Sequence, residues 1–165
     1  MNQLYAEAGV KRKDDAKTMG LRVLLFLGIA LGAIILLVGG AFGIVGVIVA
    51  VVMIYLLPRL NVEYEYVFVD GQLDFDRISG QAKRKTLLRI DFEQVEIMAP
   101  HHSHSLDSYR NMDCIKKDFS SGTQNNNTYA IAANVDGKKY LIYFEPNEMM
   151  LNMIKQKSPR KVTNF

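Results

Sequence analysis

The sequence predicts a membrane-embedded helical hairpin followed by a small, mostly antiparallel β domain that ends in a helix. Three observations carry this. From Val23 to Leu57, 35 residues pass without an Asp, Glu, Lys, Arg or His, and Gly39-Gly40 sits near the middle of the run. From Val62 onward, aromatic and β-branched residues alternate with other residues and break at Asp-Gly pairs, the pattern of half-buried strands joined by tight turns. Pro146 then precedes a segment of helical spacing that Pro159 terminates.

The apolar run is too long for one crossing. A hydrocarbon core of about 30 Å needs roughly 20 residues, whereas 35 residues in one helix would extend about 52 Å. Two spans, residues 21–38 and 41–57, turned at the glycine pair, fit better. A cleaved secretory signal has an apolar region of only about 7–15 residues, so this run is read as a retained anchor. Residues 1–20 form a basic N-terminal segment. With Lys11, Arg12, Lys13, Lys17 and Arg22 beside the first span, the positive-inside rule keeps that segment in the cytoplasm. Two spans return the chain to the same side, which gives a multi-pass cell-membrane protein with both termini cytoplasmic.

Lipid offers no hydrophobic drive for helix association, so small residues that permit close approach matter. Gly28 and Gly32 lie four apart in the first span. Gly39 and Gly43, then Gly46 and Ala50, repeat the spacing in the second. Gly28, Gly32, Gly43, Gly46 and Ala50 are therefore the expected packing residues, within the hairpin or between copies in a homo-oligomer. No charged side chain lies inside the spans, and transport or proton pathways ordinarily use such groups. The hairpin reads as an anchor.

Beyond Pro58 almost no linker remains. Strands are expected at Val62–Val69, Leu73–Ile78, Thr86–Ile90, Phe92–Met98, Asn111–Phe119, Thr128–Val135 and Lys138–Phe144. Asp70-Gly71 and Asp136-Gly137 mark tight hairpins, since glycine supplies positive φ. A helix over Asn147–Lys157 follows, with Met150, Met153, Ile154 and Lys157 on one side, and with Met149, Met150 and Met153 expected as core fillers. Residues 158–165 form a basic tail.

The neutral balance of the soluble part limits its partners. Residues 61–165 contain 14 Lys/Arg and 14 Asp/Glu, which argues against nucleic acid. With one cysteine, Cys114, no intrachain disulfide forms, consistent with a reducing compartment. No phosphate-binding glycine loop, nucleophile elbow or His-Glu-x-x-His motif is present, so neither an enzyme nor a cofactor is expected.

Two clusters are candidate sites. His101, His102 and His104, with Asp107, Asp113 and Cys114 nearby, supply zinc-ligand chemistry and groups that titrate near neutrality, although their spacing matches no paired metal motif and a solvated polar loop is the plainer reading. Lys83, Arg84 and Lys85, with Arg89, form a basic turn. The plain reading is a solvated turn and the functional one is contact with anionic headgroups, each basic residue contributing about 1 kcal/mol near a charged surface.

Four strands, a break, three strands and a C-terminal helix over residues 61–157 resemble the pleckstrin-homology-like fold, a seven-stranded split barrel stoppered by its last helix. The stretches Phe92-Glu-Gln-Val-Glu-Ile-Met-Ala-Pro-His-His and Lys139-Tyr-Leu-Ile-Tyr-Phe-Glu-Pro-Asn-Glu-Met-Met also resemble a family of small two-span membrane proteins of Gram-positive anaerobic bacteria that carry such a domain. The resemblance implies an architecture and no reaction. The expected role is a membrane-anchored cytoplasmic binding or scaffold module that contacts the bilayer and a protein partner. The alternatives are a metal- or pH-responsive sensor built on the histidine loop, or a reader of anionic lipid surfaces.

Overall fold

The computed structural model describes residues 4–80, 83–123 and 125–163; parts of the predicted N-terminal segment (1–3) and basic tail (164–165) lie outside them. The chain divides into two compact units. One gathers Met1–Lys13, Glu63–Ile78 and Arg84–Phe165, and the other Asp14–Val62 with Ser79–Lys83.

The smaller unit is the hairpin. Helix α1 spans Ala16–Val38 and α2 spans Gly43–Leu56. The α1 N-terminus is capped by Asp15, whose carboxylate accepts from the Thr18 amide at 2.8 Å, satisfying a donor with no intrahelical partner. Gly39 ends the helix by donating its N–H to the Ile35 carbonyl. Gly40, at φ +48°, takes the left-handed turn that glycine adopts without a steric penalty. A single 3₁₀ turn, Gly40–Phe42, leads into α2, and a second, Leu57–Leu60, extends its far end. Ala16–Val38 and Gly43–Leu60 are each long and apolar enough to cross a membrane. Their outward side chains, Leu24, Phe26, Leu37, Phe42, Ile44 and Tyr55 among them, are exposed, an apolar surface of the kind that lipid covers.

The larger unit is built on eight strands: β1 Tyr5–Lys11, β2 Val62–Val69, β3 Gln72–Ser79, β4 Lys83–Asp91, β5 Val95–Pro100, β6 Ile115–Asp118, β7 Tyr129–Val135 and β8 Lys138–Phe144. They form two four-stranded sheets, ordered β1-β2-β3-β4 and β5-β7-β8-β6. The seven-stranded split barrel expected from the sequence is thus replaced by eight strands in two sheets that do not close. The strand without a sequence counterpart is β1. It pairs antiparallel with β2, Tyr5 opposite Val69 through Lys11 opposite Glu63. Two antiparallel neighbours are therefore joined not by a tight turn but by the whole helical hairpin.

Elsewhere the outlines shift for local reasons. Phe92–Gln94 is a 3₁₀ turn, not strand, because Asp91 and Gln94 form a reciprocal capping box. The expected strand over Asn111–Phe119 shortens to β6, which runs parallel to β8. The Asp-Gly pairs form the turns expected of them, with Asp70 and Gly71 at φ +49° and +108° and Asp136 and Gly137 at +50° and +75°. Helix α4, Glu148–Lys157, is capped by Asn147, whose side chain accepts from the Met150 amide; helix α3 is the short Asp107–Arg110.

Between the sheets lies one core of Ala6, Ala8, Tyr66, Phe68, Phe75, Ile131, Ile142, Phe144, Met150 and Ile154, with others. Met150 and Met153 pack there, whereas Met149, expected to fill the core with them, is exposed because it lies on the outer side of α4. Tyr66 is fully buried. Its hydroxyl donates to the Phe119 carbonyl at 2.5 Å and accepts from the Glu145 amide at 3.4 Å. Burial pushes its pKa up from 10.0, because the phenolate would lose hydration. The other face of the second sheet carries a smaller core of Ala99, Ala130, Ala132 and Leu141, covered by Leu106 from the 101–114 loop.

Candidate functional site

Three places hold the candidate groups: the seam and polar end of the hairpin, the histidine loop, and the outer face of the first sheet. In the hairpin, α1 and α2 touch through their small residues. A Cβ built on Gly32 would lie 2.7 Å from the Gly46 carbonyl oxygen and 3.2 Å from the Ala50 Cβ, and one on Gly28 would lie 3.2 Å from the Met53 side chain. A Cβ on Gly43 would lie 3.2 Å from the Leu36 carbonyl oxygen. The five residues expected to pack helices thus lie along the intramolecular seam.

The two ends of the hairpin are tied by one arginine. Arg22 Nη2 donates to Asp14 Oδ1 at 3.0 Å and to Asn61 Oδ1 at 2.7 Å, so the segment entering α1 and the segment leaving α2 meet. Arg59 donates to the Tyr55 hydroxyl at 2.7 Å and stacks over its ring, 4.5 Å from the centroid. Such Tyr/Arg pairs suit the headgroup level of a bilayer. Gly80, just after β3, joins this group, its amide donating to the Asn61 carbonyl at 3.2 Å. Lys17, Arg59 and Lys83 are exposed and belong to the same unit.

The histidine loop is a cover, with His102 and His104 exposed and His101 half-buried. Leu106 is its anchor. His104 is fully exposed and its Nδ1 lies 3.0 Å from Asp107 Oδ2. His101 and His102 meet edge to face at 5.1 Å, and His101 Nδ1 is buried without a hydrogen-bond partner among the described residues. Arg110 donates to the His101 carbonyl and, at 2.7 Å, to Asp107. The His104 hydrogen bond, with the Arg110 charge behind it, holds the Asp107 carboxyl below its ordinary value. Cys114 Sγ contacts the Tyr109 carbonyl at 3.5 Å, not a histidine. Among the described residues, no group of three or more His, Cys, Asp or Glu side chains is placed to hold a metal ion.

The sequence profile of the family described as "Bacterial PH-like domain (DUF6106)" matches residues 2–164. The chain belongs to this family. No curated protein and no solved structure matches it. The match takes in the hairpin and β1 along with the later strands, and in this chain the two apolar helices are an insertion between the paired strands β1 and β2. PH-like domains are typically binding modules rather than enzymes.

In this PH-like domain the basic turn divides. Lys83 and Lys85 are exposed, whereas Arg84 turns onto the sheet. Its Nε lies 3.1 Å from Asp76 Oδ2, its Nη2 pairs with Glu65, and Glu7 stands 3.9 Å away. Beside this group Arg89 grips Asp74 with both arms of its fork, at 2.8 and 2.6 Å. Burial alone would raise the Asp74 pKa, but the Arg89 and Gln72 hydrogen bonds and the Arg89 charge outweigh it and hold the carboxyl below 3.8. The acidic row Glu7, Glu65 and Asp76 escapes a sequence reading. Its period-two signal is visible in Glu63 and Glu65, but Glu7 joins only once Tyr5–Lys11 is recognised as a strand.

Proposed function

We propose that this chain is a bacterial membrane-anchored binding or scaffold module without catalytic activity, its PH-like domain held against the cytoplasmic face by the two-span hairpin. The observation that carries this is connectivity. Four residues separate β1 from α1, and Asn61 alone stands between the last turn of the hairpin and β2. The domain is therefore tethered twice, by adjacent strands, and has little freedom to leave the surface. Crosslinking in intact cells followed by pulldown of the full chain from detergent-solubilised membranes is expected to return at least one protein reproducibly; none across replicates refutes the scaffold role. Tags at both termini are expected to resist external protease in intact cells and to be cut once the membrane is opened.

A second reading, contact with anionic headgroups, is favoured by the hydrogen bond from the Gly80 amide to the Asn61 carbonyl at the end of the hairpin, and by Lys83 belonging to the same unit. At roughly 1 kcal/mol per basic residue, reversing Lys83 and Lys85 to Glu weakens an anionic-lipid preference of the full chain by about tenfold or more. An unchanged lipid preference in nanodiscs of graded phosphatidylglycerol content refutes it.

A further inference from the structure

We propose that the outer face of the first sheet holds a site for an arginine side chain of a partner protein, formed by Glu7, Glu65 and Asp76 around Arg84. The proposal rests on the binding-module reading and assigns it a surface and a partner chemistry.

Three adjacent strands each supply one carboxylate, and β4 supplies one guanidinium to all three. The formal balance is two negative charges in excess. Asp76 is only 6% exposed, and while its Oδ2 meets Arg84, its Oδ1 has no hydrogen-bond partner among the described residues. A buried acceptor left in this state is destabilising, and more so when it is charged. A second cationic donor would satisfy it.

A space for the donor's stem adjoins the row. A cleft of about 360 Å³ is lined by Gly9, Lys11, Glu63, Glu65 and Ile78, among others, a volume in the range of small-ligand clefts, roughly 300–1,000 Å³. Glu65 belongs to both the row and the cleft. Gly9 stands opposite Glu65 in the strand register, and a Cβ there would meet only the Tyr64 carbonyl oxygen, at 3.5 Å. No close packing forbids a side chain at this position, so its absence leaves open space on the sheet face. Ile78 and the Lys11 methylenes offer apolar walls, and Glu65 is the member of the row that lines the cleft.

The chemistry selects the occupant. A metal ion is a poor fit, since these carboxylates are not grouped as a metal site. Phosphate groups are repelled by the negative excess. Acceptors approaching from different strands match the planar fork of arginine, which gives parallel donors, better than the single point charge of lysine.

The test uses the full chain in nanodiscs of zwitterionic lipid, with fluorescein-labelled tetra-arginine as probe, read by anisotropy. Saturable binding is expected, at least tenfold tighter than tetra-lysine and absent for tetra-glutamate. Glu65→Gln and Glu7→Gln are each expected to weaken it at least tenfold, and Glu148→Gln, on α4, to leave it unchanged. Should Glu65→Gln misfold by circular dichroism, Glu7→Gln, at a half-exposed side chain, carries the test alone. Absent saturation, equal binding of tetra-lysine, or equal loss in Glu148→Gln overturns the proposal, as does a chain that self-associates through this face and loses that association in Glu7→Gln. In cells, a crosslinked partner that the Glu7→Gln/Glu65→Gln chain retains overturns this surface while leaving the scaffold role standing; no partner for the unmodified chain overturns both.

Discussion

Replacing Gly32 by alanine places one methyl group at a tight point of the helical seam. Its Cβ would stand 2.7 Å from the Gly46 carbonyl oxygen and 3.1 Å from the Ala50 amide nitrogen. Favourable heavy-atom contacts lie near 3.5–4.0 Å, so the helices must separate locally by roughly 0.5–1 Å. A gap of that size forfeits about a quarter to a half of each dispersion contact it opens, and overpacked sites generally cost about 1–3 kcal/mol. Opposing this, Gly→Ala inside a helix gains about 1 kcal/mol of intrinsic propensity. Gly20 isolates that gain, because it lies in the same helix and a Cβ there meets nothing within 4 Å. The difference between Gly32→Ala and Gly20→Ala is therefore the packing cost alone, about 1–3 kcal/mol, or roughly fivefold to 150-fold in the helix-separation equilibrium. Pyrene labels on Met19→Cys and Ile54→Cys, in a Cys114→Ser background, report that equilibrium through excimer emission as the SDS fraction of mixed micelles is raised. Gly32→Ala is expected to lose excimer at a lower SDS fraction than Gly20→Ala. Coincident transitions would refute the close-packed seam.

Three further outcomes follow from the larger unit. Tyr66→Phe removes the hydroxyl that bridges the Phe119 carbonyl and the Glu145 amide; a cost of about 1–3 kcal/mol lowers the thermal midpoint by roughly 2–10 °C, read by circular dichroism in detergent. Leu106→Ala empties the anchor of the histidine loop, which is fully buried; a loss of about 2–5 kcal/mol is expected, with faster tryptic cleavage at Arg110 as the loop lifts. Asp74 titrates below 3.8 in the folded state, so its pairing with Arg89 stabilises fully above the ordinary carboxylate pKa and is lost as pH falls through the lowered folded value. Because the pair is partly exposed, the contribution is at most about 1 kcal/mol, and Asp74→Asn is expected to flatten the stability–pH curve below about pH 4 while leaving its slope near neutrality unchanged.

The elements that were legible in the sequence are those whose signal is local. The apolar run, the two Asp-Gly turns and the Asn147-capped helix each follow from residues within a few positions of one another. Strand β1 was not legible because its inward row is Ala6 and Ala8, both buried, where strand recognition looks for bulky β-branched or aromatic residues. Those alanines are small because α4 packs on β1, a constraint set by residues some 140 positions away. The parallel pairing of β6 with β8 is equally non-local, and so is the role of Leu106, which lies in a polar stretch yet seals a second core. At the candidate sites, sequence clustering misled in the same way. The three histidines are neighbours in the chain but do not converge on one point, whereas Glu7, Glu65 and Asp76 are far apart in the chain and adjacent on the sheet.

Placing the hairpin between β1 and β2 has a consequence for the order of folding. Tyr5–Lys11 is synthesised before the hairpin yet has no partner until Glu63–Val69 has been made. Closing so long an intervening loop in a flexible chain would carry a substantial entropic cost. Paired helices, with Arg22 joining the segments at their open end, bring the two strands back together ready to zip. The first sheet is completed by β1 only once the helices between the two strands have been made and have paired. A chain arrested before that step lacks β1 and leaves the inner faces of Tyr66 and Phe68 short of their alanine neighbours, a marked difference for quality-control proteases to act on.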